Sequence, residues 1–311
     1  MNRYLITGGA GFIGSHVAEE CLRRGNYVRV IDNFITGKRE NLVSIEDQID
    51  FIQGDIRDFS LCRRVVKDID FVLHQAALPS VPRSIENPLL SNEINITGTL
   101  NLLVASKEEG IDKFVFASSS SVYGDDSSLP KREGVEGNPL SPYALSKLVG
   151  EKYSQIFTRI HDVSTVILRY FNIFGPRQDP RSQYAAVIPH FIARMIHGQA
   201  PVIFGDGEQS RDFTHVSNVV EANLLAAHSE EISGEIINIG CGERTTVNHL
   251  VDQINILLKS DIRPVYDPPR PGDVRHSYAD ISRANKVIGY KPLVSFRQGL
   301  EKTIRWYKQK N

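Results

Sequence analysis

The sequence predicts an α/β fold in which a doubly wound parallel sheet of about seven strands is followed by a smaller C-terminal lobe. Three observations support this prediction. Short apolar runs alternate with helix-like segments, the first run ends in a glycine-rich turn, and the loops change in composition past residue 172. Such alternation is typical of βαβ units, whose right-handed crossovers place helices on both faces of a parallel sheet.

The candidate strands are short runs rich in Val, Ile, Tyr and Phe, as expected for buried parallel strands. They lie at residues 3–7, 26–32, 50–55, 70–75, 112–118, 164–171 and 235–240. Helix-like apolar spacing is found at residues 12–24, 59–68, 92–109, 143–160 and 216–228.

The chain divides into two predicted units. Past residue 172, loops such as FGPRQDPRSQ and YDPPRPGD are rich in Gly, Pro and Arg. We therefore expect a sheet domain at residues 1–172, to which 216–240 returns. The smaller lobe should consist mainly of residues 173–215 and 241–311.

Composition limits the partners of the protein. Hydrophobic residues make up 41% of the chain and the formal net charge is −1, so neither a nucleic-acid nor a membrane partner is expected. No apolar run approaches the roughly 18 residues of a membrane span, and MNRYLITGG has no signal-peptide pattern. Cys21, Cys62 and Cys241 predict buried thiols in a reducing compartment, and the nine His lack zinc-ligand spacing. We expect a cytoplasmic protein without a metal site.

The first strand runs into TGGAGFIGS, which sets Gly8, Gly11 and Gly14 at regular spacing before a helix. Glycines there allow a tight turn and close approach of the backbone to a pyrophosphate at the helix N-terminus, as in a Rossmann domain. Asp32 ends the second strand, where a carboxylate binds a ribose 2′-hydroxyl and favours NAD over NADP. Asp55 ends the third strand and could accept a hydrogen bond from the adenine amino group or could instead be a structural cap.

Serines and a Tyr–Lys pair follow the fifth strand. FVFA opens into SSSSVYG, where the hydroxyl of Ser119 or Ser120 could face a ligand beyond the carboxyl end of the sheet. SPYALSK then sets Tyr143 and Lys147 four residues apart on one face of a predicted helix. A nearby ammonium lowers the pKa of a phenol, which suits Tyr143 to act as a base. One such pair alone could be surface decoration.

Together, TGGAGFIG, the strand-end serine and Tyr-x-x-x-Lys resemble the short-chain dehydrogenase/reductase family, specifically its extended branch that acts on nucleotide sugars. The resemblance covers nearly the whole chain. It implies NAD as cofactor and Ser119, Tyr143 and Lys147 as catalytic residues, with Lys147 holding the nicotinamide ribose. The implied cofactor-binding residues are Gly8, Gly11, Phe12, Ile13, Gly14, Asp32, Asn33, Asp55, Ile56, Gln75, Ala76, Ala77, Asn95, Tyr143, Lys147 and Tyr170.

Further segments resemble the UDP-sugar-binding parts of that branch, namely RYFNIFGPRQDP, GEQSRDFTH and RPGDVRHS. The resemblance implies that Asn172 contacts the UDP phosphates, that Arg211 and Arg270 clamp the diphosphate, and that Asp273 binds the uridine ribose. Arginine suits this task because its planar fork makes paired bonds to phosphate. The implied substrate-binding residues are Ser80, Ser119, Tyr143, Asn172, Ala186, Val187, Arg211, Arg270, Asp273 and Ser277.

The residues after the fifth strand also bear on the reaction. Relatives that dehydrate or decarboxylate their substrates carry a carboxylate before Val-Tyr-Gly, whereas this chain carries Ser119, Ser120 and Ser121. The pattern therefore resembles a UDP-hexose 4-epimerase that works through a 4-keto intermediate and enzyme-bound NAD. A non-catalytic NAD-binding regulator is the remote alternative, and it would commonly lack the Tyr or the Lys.

Ser277 bears on the choice of sugar. Strict UDP-glucose 4-epimerases carry a bulky Tyr at the matching position, whereas Ser leaves room for an acetamido group. The resemblance therefore favours interconversion of UDP-GlcNAc and UDP-GalNAc, with UDP-Glc and UDP-Gal also accepted. A strict UDP-glucose 4-epimerase and a UDP-GlcNAc-uronate 4-epimerase are the alternatives.

A homodimer is expected from the same resemblance. The helices at 92–109 and 143–160 match helices that pair across a two-fold axis in relatives. The apolar residues that would contribute are Leu145, Leu148, Val149, Ile156 and Ile160.

Overall fold

A seven-stranded parallel sheet forms the centre of the protein. The computed structural model describes residues 1–135, 137–180, 186–269 and 274–310. The strands of this sheet are β1 (Arg3–Thr7), β2 (Tyr27–Asp32), β3 (Asp50–Gln53), β4 (Phe71–His74), β5 (Lys113–Ser119), β6 (Thr165–Tyr170) and β11 (Glu235–Ile239). Their order is β11-β6-β5-β4-β1-β2-β3, with every neighbouring pair parallel. The predicted fold class is confirmed.

Helices cover both faces of this sheet. They are α1 (Phe12–Arg23), α2 (Phe59–Val66), α3 (Val81–Glu86), α4 (Pro88–Asn92), α5 (Gly98–Glu109), α6 (Pro142–His161) and α8 (Val216–Ala227). The alternating pleat of β1 explains the two layers of core, because Tyr4 and Ile6 pack with α1 and α8 whereas Leu5 packs with α2 and α5.

The sheet reverses its direction of growth between β1 and β4. The chain proceeds from β1 outward to β3 and then returns to place β4 on the other side of β1. The carboxyl ends of β1 and β4 therefore diverge into a crevice, which is where open α/β sheets bind their ligands.

A smaller lobe is built on a third apolar cluster. Its strands are β7 (Ile173–Phe174), β8 (Val202–Phe204), β9 (Ser210–Arg211), β10 (Thr214–His215), β12 (Thr245–Thr246), β13 (Val265–Asp267) and β14 (His276–Ser277). Its helices are α7 (Val187–Ile196), α9 (Val247–Leu258), α10 (Ser282–Ile288) and α11 (Phe296–Lys310). The cluster joins α7, α9 and α11. In contrast, Ala284, Ile288 and Tyr290 pack into the core of the large sheet. The domain boundaries stay a prediction.

The predicted helix at 92–109 is confirmed, but it begins earlier, at Pro88, and contains a π-helical turn. The chain forms α4, a π-helical turn at Glu93–Thr97 and then α5. The wider turn carries Asn95, whose buried side chain bonds to the backbone of Leu78 instead of facing solvent. A π-turn in a helix frequently marks a functional position.

The remaining sequence expectations concern thiols, metals and membranes. Cys21 and Cys62 are buried as predicted, but Cys241 is half-buried. Among the described residues, no group of three or more His, Cys, Asp or Glu could hold a metal ion. Within the same part of the chain, no helix is long and apolar enough to cross a membrane.

Gly150 lets α6 lie close to β5. A Cβ at this position would lie 2.4 Å from Cζ of Phe116, a ring that is 1% exposed. We therefore predict that Gly150→Ala lowers the free energy of unfolding by about 1–3 kcal/mol, although Ala is the better helix former. Urea denaturation monitored by circular dichroism measures this change. Lys152→Ala, at an exposed position on the same helix, is the control and should have little effect. A Gly150→Ala protein as stable as the wild type would contradict this packing.

Candidate active site

A cavity of about 300 Å³ opens at the carboxyl ends of the sheet strands. Its lining includes the turn after β1, the end of β2, the loop after β4 and the end of β5. The predicted cofactor residues that line it are Gly8, Gly11, Phe12, Ile13, Gly14, Asp32, Asn33, Ile56, Gln75, Ala76, Ala77, Tyr143, Lys147 and Tyr170. The two others, Asp55 and Asn95, lie outside its lining.

The glycine-rich turn is shaped for close backbone approach. Gly8 has φ +67°, and a Cβ there would lie 2.8 Å from the Cα of Ala76 across the crevice. At Gly14, a Cβ would lie 2.3 Å from the carbonyl oxygen of Gly8. Gly11 caps α1 without a side-chain hydrogen bond. The first N–H groups of α1 are therefore available to an anion such as a diphosphate.

Asp32 is held rigidly at the end of β2. Its Oδ2 accepts from the Ala10 N–H at 3.0 Å and its Oδ1 from the Phe34 N–H at 2.8 Å. Burial raises the pKa of Asp32, and these hydrogen bonds oppose the shift. A fixed carboxylate lining the cavity suits a ribose hydroxyl.

Asp55 has structural partners in place of a cavity contact. Its carboxylate accepts from the Arg57 guanidinium at 2.8 and 3.0 Å and from Asn33 Nδ2 at 2.8 Å. Burial acts to raise the pKa of Asp55, but the bonds from Arg57 outweigh it and the net shift is downward. These contacts favour the capping interpretation, and the adenine contact stays a prediction.

Ser119 and Tyr143 meet at the end of β5. The side chain of Ser119 interacts with Tyr143 and acts to lower the pKa of its hydroxyl. The Ser119 Oγ also accepts from the N–H of Ser121 at 3.2 Å and from its hydroxyl at 2.9 Å. Of the two serines that the sequence left open, Ser119 is the one in contact with Tyr143.

Lys147 lies beneath the cavity, one helical turn after Tyr143. Its Nζ donates to the carbonyl oxygen of Ala117 at 2.8 Å and lies 5.1 Å from the centroid of the Phe116 ring. Burial lowers the pKa of Lys147 to about 8, while the charge of Glu151 acts in the opposite direction. This ammonium is 6.0 Å from the Tyr143 ring centroid.

The predicted lowering of the Tyr143 pKa depends on the positive charge of a nicotinamide as well as on Lys147, and it stays a prediction. Burial raises the pKa of Tyr143, and the side chain of Ser119 opposes that shift. The reason is physical: a phenolate loses its solvation in this pocket.

A buried chain of hydrogen bonds, which the sequence analysis missed, supports the loop after β4. The Ala76 N–H donates to Thr7 Oγ1 at 3.1 Å, and Thr7 Oγ1 lies 2.7 Å from His74 Nδ1. His74 Nε2 lies 2.9 Å from Thr99 Oγ1, which donates to the Asn95 carbonyl at 2.7 Å. Burial and the nearby Lys147 lower the pKa of His74 to about 3, so its ring is neutral.

The Asn95 side chain extends this chain of hydrogen bonds to α6, the helix that carries Tyr143 and Lys147. Its Oδ1 accepts from the Leu78 N–H at 2.7 Å, and its Nδ2 donates to Ser146 Oγ at 3.0 Å. The Ser146 hydroxyl in turn donates to the Tyr143 carbonyl at 2.8 Å. Asn95 therefore positions residues that line the cavity without reaching it.

The lining residues that the sequence analysis missed include Thr36, Lys38, Arg177 and Asp179. Lys38 Nζ bonds to Asp179 Oδ2 at 2.7 Å, and Arg177 pairs with Glu19 of α1. These ion pairs join the loop after β7 to the sheet domain beside the cavity. The last two residues lie in the FGPRQDP segment, but nothing in that sequence indicated their partners.

A second cavity of about 500 Å³ lies in the smaller lobe. The predicted substrate residues that line it are Asn172, Ala186, Val187 and Arg211. Arg211 Nη1 donates to the carbonyl oxygens of Ser210 at 3.0 Å and Arg275 at 3.2 Å. The apolar walls come mainly from α7, β8 and Phe213.

The remaining substrate residues are placed differently. Ser80 caps α3 and Ser277 pairs in register with Arg211 on the neighbouring strand, and neither is among the described residues that line the two cavities. Arg270 and Asp273 lie outside the described residues. Ser277 therefore does not line the second cavity itself but neighbours Arg211, which does.

The chain is similar to known proteins along nearly its whole length. The model of the NAD dependent epimerase/dehydratase family matches residues 4–240. A UDP-N-acetylglucosamine 4-epimerase from Methanobrevibacter ruminantium, solved with UDP-N-acetylmuramic acid, is 42% identical with a TM-score of 0.96, covering 100% of this chain and 99% of that one.

Two other solved structures are similar over nearly the whole chain. A UDP-glucose 4-epimerase from Thermotoga maritima with UDP-glucose is 39% identical, with a TM-score of 0.94 and 100% and 99% coverage. A UDP-glucuronic acid 4-epimerase from Bacillus cereus with UDP-glucuronic acid and NAD is 34% identical, with a TM-score of 0.92 and 99% coverage of each chain.

Asp32 predicts the identity of the dinucleotide. Denaturing the purified protein should release NAD and not NADP, because a buried carboxylate at the end of β2 repels a 2′-phosphate. Asp32→Asn should reduce the preference for NAD about 10-fold or more, measured as the ratio of dissociation constants for the two dinucleotides. Asp50→Asn is the matched control, because Asp50 pairs with Arg29 and does not line the cavity. Release of stoichiometric NADP from the wild type would contradict the assignment.

Proposed function

The chain belongs to the NAD-dependent epimerase/dehydratase family, and we propose that it is a UDP-hexose 4-epimerase that interconverts UDP-N-acetylglucosamine and UDP-N-acetylgalactosamine. The observation that carries the proposal is the meeting of Ser119, Tyr143 and Lys147 at the strand ends beside the cofactor cavity. Three serines occupy positions 119–121, where an eliminating or decarboxylating relative would carry a carboxylate.

Each of the three residues has a chemical task. Tyr143 removes the proton of the C4 hydroxyl and later returns it, acting as base and then as acid. Ser119 donates a hydrogen bond to the C4 oxygen as this becomes a ketone. Lys147 holds the nicotinamide ribose and supplies positive charge near the phenol. A bound NAD would supply the acceptor for the C4 hydride and the donor that returns it to the opposite face of the sugar.

The substrate should be bound mainly through its UDP part, because the sugar must turn over during the reaction. The 4-keto sugar must rotate about its diphosphate linkage between the two hydride transfers, so strong contacts belong on UDP. The second cavity, with Asn172 and Arg211 in its wall, suits this role. Arg270 and Asp273 are proposed to complete it on the strength of the sequence resemblance.

Acceptance of an acetamido group rests on Ser277. The small side chain lies next to Arg211 in register, at the rim of the proposed UDP site. Relatives named for plain, acetylated and uronic sugars have similar identities, so the argument for the acetylated substrate is steric. Chromatographic separation of products from UDP-GlcNAc, UDP-Glc and UDP-GlcNAc-uronate tests the choice directly.

The base assignment is tested by paired substitutions. Tyr143→Phe should lower kcat by roughly 10²–10⁴-fold, because the general base is removed while the UDP contacts remain. Ser119→Ala should lower kcat by about 10²–10³-fold, the scale of one lost transition-state hydrogen bond. UDP affinity, measured by calorimetry, should change little in either variant. Near-wild-type turnover of Tyr143→Phe would contradict the mechanism.

Ser277→Tyr should separate two classes of substrate. The added ring would overpack against an acetamido group at a cost of about 1–3 kcal/mol, or about 5- to 150-fold in selectivity. The ratio of kcat/KM for UDP-GlcNAc to that for UDP-Glc should fall accordingly, and Ser277→Ala is the control that adds no volume. An unchanged ratio would mean that Ser277 does not face the sugar.

A homodimer is proposed as the assembly. On α6, Leu145 and Ile160 are 50% and 67% exposed, whereas Leu148, Val149 and Ile156 are half-buried. Leu148 packs partly against its own chain. The exposed apolar residues are expected to pair with a second copy, so light scattering at micromolar concentration should give a dimer and Leu145→Lys with Ile160→Lys should weaken it. A stable wild-type monomer would contradict the proposal.

A further inference from the structure

A buried ion pair lies behind the catalytic residues. Glu151 of α6 is 0% exposed and accepts from Arg169 of β6 through Nε at 2.8 Å and Nη2 at 2.7 Å. The same carboxylate accepts from the Ser118 hydroxyl of β5 at 2.5 Å. Three elements therefore meet at one carboxylate.

The position of this ion pair links it to the site. Ser118 and Arg169 are register partners on β5 and β6, and Ser118 directly precedes Ser119. Glu151 follows Lys147 by one helical turn on the same face of α6. Lys147 itself bonds to Ala117, the residue before Ser118.

The ion pair is difficult to explain as a source of stability. Desolvating two charges costs about as much as their attraction returns, and replacement by apolar residues is often neutral or stabilising. Arg169 is further fixed by stacking at 4.6 Å on the ring of Tyr123, whose hydroxyl donates to Asn238 at 2.7 Å. Contacts with Tyr123 and Glu151 therefore fix the Arg169 guanidinium on the β6 side of the Glu151 carboxylate.

Lys147 needs a nearby negative charge. It faces the neutral ring of His74 on β4, the Phe116 ring on β5 and the Tyr143 ring on its own helix. Arg169, on β6, is a second cation in the same region but is paired with Glu151. Burial opposes the ammonium, and Glu151 is the group that favours it.

We propose that Glu151 is a positioning residue that keeps Lys147 as an ammonium ion and fixes the ends of β5 and α6, which carry Ser119 and Tyr143. The ion pair with Arg169 compensates the charge of the buried Glu151 carboxylate. The consequence for the reaction rests on the proposed function, but the charge of Lys147 can be measured independently of any substrate.

The test compares two variants in the protein as purified with its cofactor. Glu151→Met with Arg169→Met removes the ion pair without leaving a buried charge alone, and Glu151→Gln removes the negative charge only. The titration of Lys147 is followed by NMR of ¹³Cε-labelled lysine, with Lys147→Arg for assignment. Asp50→Asn is the matched control, because it breaks the Arg29–Asp50 ion pair on β2 and β3, away from the site.

We expect the titration midpoint of Lys147 to fall by about one pH unit or more in Glu151→Gln. It should fall by less in the double variant, which also loses the Arg169 cation, and stay unchanged in Asp50→Asn. In each variant, the alkaline limb of kcat for epimerisation should move to lower pH by the same amount as the midpoint. If the folded Glu151→Gln variant keeps the wild-type midpoint, Glu151 is merely structural and the proposal is overturned. If the wild type has no epimerase activity but the variants still shift the Lys147 midpoint, the proposed function is contradicted and the role of Glu151 is supported.

Discussion

The close packing of α6 against β5 and β6 is the constraint on which the site depends. Tyr143 and Lys147 lie in the first turns of α6, whereas Ser119 ends β5, so the three groups meet only if helix and strand keep a fixed offset. Gly150 allows the approach, Lys147 bonds to the β5 backbone, and Glu151 bonds to both strands. A shift of about 1 Å in this contact would separate catalytic groups from the reacting atoms.

In the proposed function, binding is divided between the two cavities. The first lies at the reversal point of the parallel sheet, where the glycine-rich turn and Asp32 suit a dinucleotide that stays bound through the cycle. The second lies in the smaller lobe and is lined by apolar residues with Arg211 and Asn172. A hexose attached through the diphosphate would lie between these fixed ends, which is compatible with a sugar that must present both faces.

Much of the sheet domain could be predicted from sequence because its signals are local. Apolar runs and turn glycines specify strands and helices through periodicity, and the Tyr143–Lys147 spacing needs only one helical face. Interactions across the fold leave no such signal. The hydrogen bond from Asn33 to Asp55, the hydrogen-bond chain through His74 and the Lys38–Asp179 ion pair depend on which distant elements become neighbours.

Other differences arise from environment. The π-turn at Glu93–Thr97 carries Asn95, whose buried amide bonds to the Leu78 backbone, and helical periodicity does not reveal such a turn. The raised pKa of Tyr143 reflects burial, which opposes ionisation and cannot be read from the Tyr143–Lys147 spacing. Ser277 was predicted in the sugar pocket by resemblance, and its place beside Arg211, outside the lining of either cavity, appears only once β9 and β14 are paired.

In the proposed reaction, C4 of a UDP-hexose is oxidised and then reduced again within the same site. Epimerisation of UDP-GlcNAc carrying deuterium at C4 tests this claim most directly, with the product examined by NMR and mass spectrometry. The account predicts that deuterium remains at C4 of UDP-GalNAc, and that unlabelled substrate turned over in deuterated water gains none there. Exchange of the C4 hydrogen with solvent would contradict the account.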